Sequence, residues 1–430
     1  MKIVQINTVF GSGSTGKIAL SLYNSIKKNG DDPYVAYGRK TAGSEALSSE
    51  SAGGSAPSGR SQTGPSVVDP AYLIGSRADF YGHVLVNFFA GKSGFGSSAN
   101  TRKLIRWLEQ IRPDIIHLHN LHGFYVNVEI LFDYIKKTDI PVVWTLHDCW
   151  SFTGQCAHFD YAGCDKWKNH CHDCPIYRTN YPYSLFKDNS SWNYEHKKAA
   201  FTGVKNLTIV TPSKWLSEQV KQSFLKEYPV KIIYNGIDTE VFKPGYSVSD
   251  LDITPEIKGR KIITSVANVW DKQKGLSFIL DLASMLKDDP SYLFVIIGLS
   301  PAQCREIKKK HQNNVLPLTR TSGQKELAAW YSLSYAYVNP TLEEVFGLTN
   351  VEALSCGTPV ITFNTGGSPE SVTPECGIVV PKGDVNALKK ALSDVSGLDR
   401  EACRLRALEF TNGLSDSKYL ELYNKLSSLS

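Results

Sequence analysis

Short runs of Val, Ile and Leu alternate with helix-patterned segments along nearly the whole chain, and the alternation restarts once, after Pro244. The first series predicts strands at residues 3–6, 33–37, 115–118, 142–146, 207–210 and 231–234. Between them lie helical patterns at 17–28, 100–111 and 128–137, and a helix opened by Ser213. In the first of these, Ile18, Leu22 and Ile26 recur at helical spacing. The second series predicts strands at 261–266, 292–297, 336–338 and 359–363, with helices at 276–286, 325–331 and 350–354. A helix at 418–426 follows a polar stretch at 411–417. Apolar strands separated by helices build parallel sheets covered on both faces. The expected fold class is therefore α/β, with two doubly wound, Rossmann-like domains. The expected bounds are 1–243 for the first domain and 244–410 for the second, with residues 411–430 packing back on the first. A chain of 430 residues is long enough for two such cores.

Composition narrows the class. Hydrophobic residues make up 42% and charged residues 21%, as in soluble globular proteins. The formal net charge of +5 lacks the concentrated basic stripe of a nucleic-acid binder. Met1 leads straight into the first strand with no cleavable leader pattern, and the apolar stretch 83–90 is too short to span a bilayer. The expected location is cytoplasmic. Residues 41–65 are rich in Ser, Gly and Ala and read as a mobile loop.

In doubly wound sheets ligands bind at the carboxyl ends of the strands, and several loops there can carry chemistry. Gly11-Ser12-Gly13-Ser14-Thr15-Gly16-Lys17 nearly matches a P-loop, but Ile18 stands where magnesium needs a Ser or Thr hydroxyl. It serves equally as a strand–helix turn or as backbone that approaches a diphosphate. Lys272 and Lys274 flank a turn after the strand at 261–266, as solvated charges or as cations facing a diphosphate. Pro340, Gly347 and a following helix start lie between Asn339 and Leu354. That helix start offers unpaired N–H donors and partial positive charge. Glu352, among apolar neighbours, can accept two ribose hydroxyl hydrogen bonds, although a lone helical Glu is usually solvated. Residues 363–370 and 377–384 each read as turns.

Taken in order, these segments resemble the retaining, nucleotide-sugar-dependent glycosyltransferases of family 4, of the type used in surface polysaccharide biosynthesis. The resemblance spans most of the chain. Its anchors are Gly13–Gly16, Tyr234-Asn235-Gly236-Ile237-Asp238, Phe242-Lys243-Pro244, Lys274-Gly275, the Glu344-x7-Glu352 pattern, Gly357-Thr358-Pro359-Val360, Gly366-Gly367-Ser368-Pro369-Glu370 and Gly383-Asp384. It implies the GT-B architecture, two domains facing each other across a cleft, and transfer of a sugar from a nucleotide-sugar donor to a glycan or lipid-linked acceptor with retention. It also implies roles. Lys274 neutralises the donor diphosphate, and Phe346, Gly347 and Leu348 bind phosphate at the helix start. Glu352 holds the ribose, Glu344 lies beside the transferred sugar, and Gly13 and Gly16 close against the diphosphate. His147 lies near the donor sugar and acceptor.

One position departs from the family pattern. The family places Arg six residues before the lysine, and Asn268 stands there. An amide is no bidentate cation. Lys272 and Arg320 are the candidates to compensate. Two alternatives stay open: nucleotide-sugar epimerisation without transfer, and a catalytically silent GT-B subunit that binds a partner. No cofactor is required for catalysis on this reading.

An insertion at 149–183 carries Cys156, Cys164, Cys171 and Cys174 with Trp150, Phe152 and Trp167. Four thiolates can close a structural zinc site. Reduced, partly buried cysteines account for the same residues equally well. Strand alternation puts His117 and His119 on one face, with His122 beyond. Acceptor contacts or hydrogen-bonded histidines are expected there rather than a metal. The helix at 100–111, with Arg102, Lys103 and Arg106 beside Trp107, is the candidate for peripheral contact with an anionic membrane.

Overall fold

The computed structural model describes residues 1–40, 68–252, 257, 259–310 and 314–428. The loop expected at 41–65 lies outside the described residues. The chain forms two compact units, Met1–Ile233 with Asp416–Ser430, and Tyr234–Ser415. The sequence reading put the boundary at 243/244 and the return at 411. Tyr234 belongs with the second unit because its ring packs on Phe346 and Phe410, at 5.2 and 5.4 Å.

The first unit holds seven strands: β1 (Lys2–Val9), β2 (Asp32–Arg39), β3 (Ala71–Leu73), β4 (Ile115–Leu118), β5 (Val142–Thr145), β6 (Leu207–Thr211) and β7 (Val230–Ile232). They lie in the order β3-β2-β1-β4-β5-β6-β7, and every pairing is parallel. Strand order reverses between β1 and β4, where Gln5 pairs with His117. β4 and β5 are buried at every residue, because helices cover both faces of a parallel sheet. These helices include α1 (Gly13–Lys28), α2 (Arg77–Ala90), α3 (Ser98–Ile111), α4 (Val128–Lys137), α5 (Ser190–Phe201) and α6 (Lys214–Gln222).

The second unit holds β8 (Lys261–Val266), β9 (Tyr292–Ile297), β10 (Val315–Leu318), β11 (Ala336–Asn339), β12 (Val360–Phe363) and β13 (Gly377–Val380). Their order is β10-β9-β8-β11-β12-β13, again all parallel, with the reversal between β8 and β11. Its helices include α7 (Leu276–Met285), α8 (Pro301–Lys310), α9 (Gln324–Leu333), α10 (Leu348–Ser355), α11 (Val385–Asp394) and α12 (Arg400–Ala407). The two doubly wound sheets expected from sequence are therefore present.

Three local expectations are corrected. Residues 377–380, read as part of a turn, form the edge strand β13 against β12. The polar stretch 411–417 is the start of α13 (Asn412–Ser427). Gly13 and Gly16, read as loop, form the first turn of α1. No helix among the described residues is long and apolar enough to cross a membrane.

Candidate functional site

In the second unit, three loops converge at the carboxyl ends of β8, β11 and β12. The loop after β8 is fixed to the loop after β11 by Leu342 N–H donating to Gln273 O at 2.7 Å and by Thr341 Oγ1 donating to the same oxygen at 3.2 Å. Gly275 sits at φ +75, and a Cβ there would run into the Pro340 carbonyl. Gly366, after β12, is likewise seated against the Glu344 carbonyl, which accepts the Gly367 N–H at 2.9 Å. Both positions need glycine for φ and for close approach.

These approaches bring Lys274 and Glu344 together, Nζ to Oε2 at 2.8 Å. Their side chains are 35% and 22% exposed. Burial works against the Lys274 charge, but Glu344, and more weakly Asp271 and Glu343, outweigh it and hold the ammonium above its usual range. Gly347, at φ +78, caps α10. Asn350 ties that helix start to the last loop, donating to Ser368 Oγ at 3.0 Å and Ser371 Oγ at 3.2 Å. Its Oδ1 accepts from Asn339 at 2.8 Å. On α10, Glu352 accepts from the buried Tyr331 hydroxyl at 3.3 Å. Burial, then the Glu352 charge, pushes the Tyr331 hydroxyl well above its ordinary range, so it donates. Tyr337 is buried too, and burial first, then the Glu352 and Glu344 charges, push its hydroxyl above the usual range.

The other expected residues fall less uniformly. Phe346 is 2% exposed and packs on Tyr234 and Phe410; its ring is core, and only its backbone remains for a ligand. Leu348 is half-buried and Lys272 exposed. Asn268, in the place of the expected Arg, accepts a hydrogen bond from Arg320 Nη2 at 3.2 Å. The loop after β10 thus brings the Arg320 guanidinium beside position 268.

In the first unit, Gly11 N–H donates to Gly16 O at 2.9 Å and closes the turn that opens α1. Behind this turn runs a chain of neutral histidines. Gln5 donates its amide to Ala19 O at 3.1 Å, so its Oε1 accepts from His119 Nε2–H at 3.1 Å. His119 is buried, and burial drops its pKa well below the usual value. Its Nδ1 is therefore a bare acceptor, and at 3.1 Å it takes the proton of His147 Nε2–H. His147 is also neutral, lowered by burial to about 4. One tautomer follows: His147 keeps a lone pair on Nδ1.

Beside it, His122 Nε2 meets Asp148 Oδ2 at 2.7 Å. Burial opposes the Asp148 charge, but His122, its hydrogen bond, His158 and the Trp150 N–H together hold it down to about 2. Lys197, from α5, reaches under this loop to Trp150 O at 2.6 Å and lies 4.1 Å from the Trp150 ring. Deeper, His117 bonds Tyr423 at 2.6 Å and Thr145 at 2.8 Å. The histidines are hydrogen-bonded, the non-metal alternative weighed from sequence.

Within the insertion, Trp150, Phe152 and Trp167 are 1%, 0% and 1% exposed. Phe152 and Phe159 pack tilted against Trp167, with ring centroids at 5.1 and 4.8 Å. These rings form a small core. Cys171 accepts the Gly154 N–H at 3.1 Å, and burial raises the Cys171 and Cys174 thiols to about 12 and about 11. Among the described residues no group of three or more His, Cys, Asp or Glu is arranged to hold a metal ion. No metal geometry therefore accompanies the zinc expectation at Cys156, Cys164, Cys171 and Cys174. Trp107, expected beside a membrane-facing basic helix, is 6% exposed and stacks on Tyr72 at 5.1 Å.

Sequence reasoning missed Gln5, Asp148, Tyr331, Tyr337 and Asn350 as parts of these sites. Gln5 carried a signal, a polar residue within the apolar run of β1. A hollow of about 530 Å³ lined by Pro141, Asn206, Tyr228 and Pro229 opens where β5, β6 and β7 begin, the end of the sheet away from these loops.

Comparison with known proteins bears on both units. Residues 56–241 match the family model "Glycosyltransferase Family 4" and residues 250–406 match "Glycosyl transferases group 1". The chain is 25% identical over 397 residues to the putative colanic acid biosynthesis glycosyl transferase WcaC of Escherichia coli K12, covering 90% of this chain and 88% of that one. A glycosyltransferase from Rickettsia africae superposes with a TM-score of 0.69 at 16% identity, over 100% of this chain and 99% of that chain. HepE from Anabaena, solved in complex with UDP, superposes with a TM-score of 0.65 at 15% identity, over 99% and 100%. These likenesses show a GT-B fold.

Proposed function

Since this chain belongs to the glycosyltransferases whose halves carry the family 4 and group 1 signatures, we propose that it uses a nucleotide-sugar donor in polysaccharide biosynthesis. The sugar passes to a glycan or lipid-linked acceptor with retention of anomeric configuration, in the cytoplasm. The observation that carries this reading is the Lys274–Glu344 pair at 2.8 Å, set just before the start of α10 with Glu352 on that same helix. Breaking the bond from the anomeric carbon to phosphate builds negative charge on the departing diphosphate. Lys274 and the N–H groups at Gly347 and Leu348 supply fixed positive charge for it, with Arg320 beside Asn268 as the second cation. Glu352 holds the ribose hydroxyls. Glu344, steered by Lys274, orients the transferred sugar. On the first unit, His147 offers its Nδ1 lone pair to a sugar hydroxyl, and Gly13 and Gly16 offer backbone.

A relative named for colanic acid biosynthesis and a GT-B neighbour solved with UDP support donor class and pathway type. Neither epimerisation nor a silent binding role is favoured by relatives named as glycosyltransferases. The test is a thermal-shift screen of UDP-, GDP- and ADP-sugars, followed by transfer with the ligand found. Glu352→Gln should weaken donor binding ~10-fold or more, as loss of charge-assisted hydrogen bonds does. Lys274→Ala should lower turnover on the order of 10²-fold. Unchanged donor affinity and turnover in both variants would remove the assignment. NMR of the product reads the anomeric configuration.

A further inference from the structure

Helix α2 is built inside out. Its two buried residues are polar, His83 and Asn87, while Tyr81, Leu85, Val86 and Phe89 are 63%, 55%, 41% and 57% exposed. Both inward side chains make hydrogen bonds, although the Asn87 Oδ1 has no partner among the described residues. His83 Nδ1 meets Ser97 Oγ at 3.0 Å, its Nε2 accepts the Gly96 N–H at 3.0 Å, and Asn87 donates to Tyr183 O at 2.8 Å. The face that packs inward is thus polar and hydrogen-bonded, and the apolar face is the one turned outward.

A second segment extends it. Leu185 N–H donates to Phe88 O at 3.1 Å, and Phe186, 63% exposed, stacks on Phe89 at 5.2 Å and an interplanar angle of 6°. Tyr183 and Leu185 are 48% and 40% exposed. One contiguous patch of Tyr, Phe and Leu results, of a kind that isolated soluble domains rarely leave in water.

Along the two segments that form the patch, basic residues outnumber acidic ones. Over residues 77–92 and 175–188 the basic residues are Arg77, Lys92, Arg178 and Lys187, and the acidic ones are Asp79 and Asp188. Both acids are engaged by backbone N–H groups. Asp79 accepts from Ser76 N–H at 2.8 Å, and Asp188 from Cys174 and Ser190 N–H at 2.6 and 3.0 Å. Residues 41–67 of this chain, nearly devoid of large apolar side chains, have little with which to cover the patch.

We propose that α2 and the segment 181–186 form a docking surface for an anionic phospholipid bilayer. Phe89, Phe186, Leu85 and Tyr81 enter the interface, and Arg77, Lys92, Arg178 and Lys187 meet lipid phosphates. Rings with one polar end suit the headgroup boundary, and apolar burial combined with basic residues is what holds a monotopic protein to an anionic surface. The surface differs from the basic helix α3 that sequence alone suggested. It does not rest on the proposed transfer reaction.

The test is co-sedimentation of the full chain with vesicles of phosphatidylcholine alone or mixed with phosphatidylglycerol. The expected result is binding to the mixed vesicles that weakens with salt and drops at least 10-fold in Phe89→Ser/Phe186→Ser. Leu85→Gln, which leaves the stacked pair intact, should lower binding severalfold, with circular dichroism unchanged in both variants. Absence of binding to mixed vesicles, or equal binding by wild type and both variants, would overturn the proposal. So would a dimer in sedimentation velocity that these variants dissolve, because the patch would then be a contact between copies.

Discussion

Lys197 offers the most quantitative test of the first unit's chemistry. Its ammonium lies in the interior under Trp150, and burial lowers its pKa from 10.5 to about 7, against weaker opposing pulls from Cys171, Cys156 and Asp148. A lysine whose folded pKa is depressed releases a proton in the native state that the unfolded chain retains. Between about pH 7 and 10.5 the unfolded state therefore binds more protons, and stability rises with pH across that window. Below pH 7 the full cost of the charge is present. Integration with these two values gives a gain of about 3 kcal/mol for wild type between pH 6 and pH 9. Lys197→Met removes the titration but also the bond to Trp150 O, at a pH-independent cost of roughly 1–3 kcal/mol. The variant should thus compare best at pH 6 and lose that advantage by pH 9. Urea unfolding of both proteins at the two pH values, followed by near-UV circular dichroism, reads the difference. A wild-type-minus-variant stability that stays constant from pH 6 to pH 9 would refute the argument, because Lys197 would then be ionised throughout.

Three further outcomes are expected. If Arg320 stands in for the missing cation, Arg320→Ala should lower turnover by about 10²-fold, and adding Asn268→Arg should restore most of it in a steady-state transfer assay. Gln5→Leu removes the acceptor that fixes the His119–His147 tautomer, so nitrogen NMR should show His147 Nδ1 gaining proton character, with turnover reduced and donor affinity kept. Asp148, held at about 2 against 3.8, contributes stability that is present above pH 3.8 and lost as pH falls through 2. At pH 7 wild type should exceed Asp148→Asn by about 2 kcal/mol in urea unfolding, and the gap should close toward pH 2.

Much of the fold was legible because parallel strands buried on both faces leave an unambiguous mark. Ile115–Leu118, apolar but for His117, and Tyr292–Ile297 are short runs bounded by turns, and they are buried at every position. β13 escaped notice because its apolar run, Ile378-Val379-Val380, is short and bracketed by Gly377 and Pro381, and as an edge strand it leaves Val379 40% exposed. Residues 83–90 showed an apolar composition but not its direction. Periodicity tells which residues share a face and not whether that face points inward, and here His83 and Asn87 point in. The donor-side glutamates and Lys274 were found through an ordered series of motifs. Their contact at 2.8 Å depends on glycines at 275 and 366 letting three loops touch, a packing fact that spacing alone does not encode. Arg320 reaches Asn268 from 52 residues away in sequence, beyond any local pattern.

The return of residues 416–430 to the first unit has a consequence for how the chain is made. Tyr419 and Tyr423 are 1% and 0% exposed, packed in one cluster with Ile3, Leu22, Ile115 and Val143, and Tyr423 bonds His117. A ribosome that has delivered all seven strands of the first sheet has not yet delivered the helix that seals this cluster. Residues 234–415 must be synthesised first, a wait of roughly 10–40 s at ordinary elongation rates. During that interval His117 and Thr145 lack their tyrosine partners and the cluster stays open. The second unit, contiguous in sequence, can complete its core first, so the order of synthesis and the order of completion are reversed.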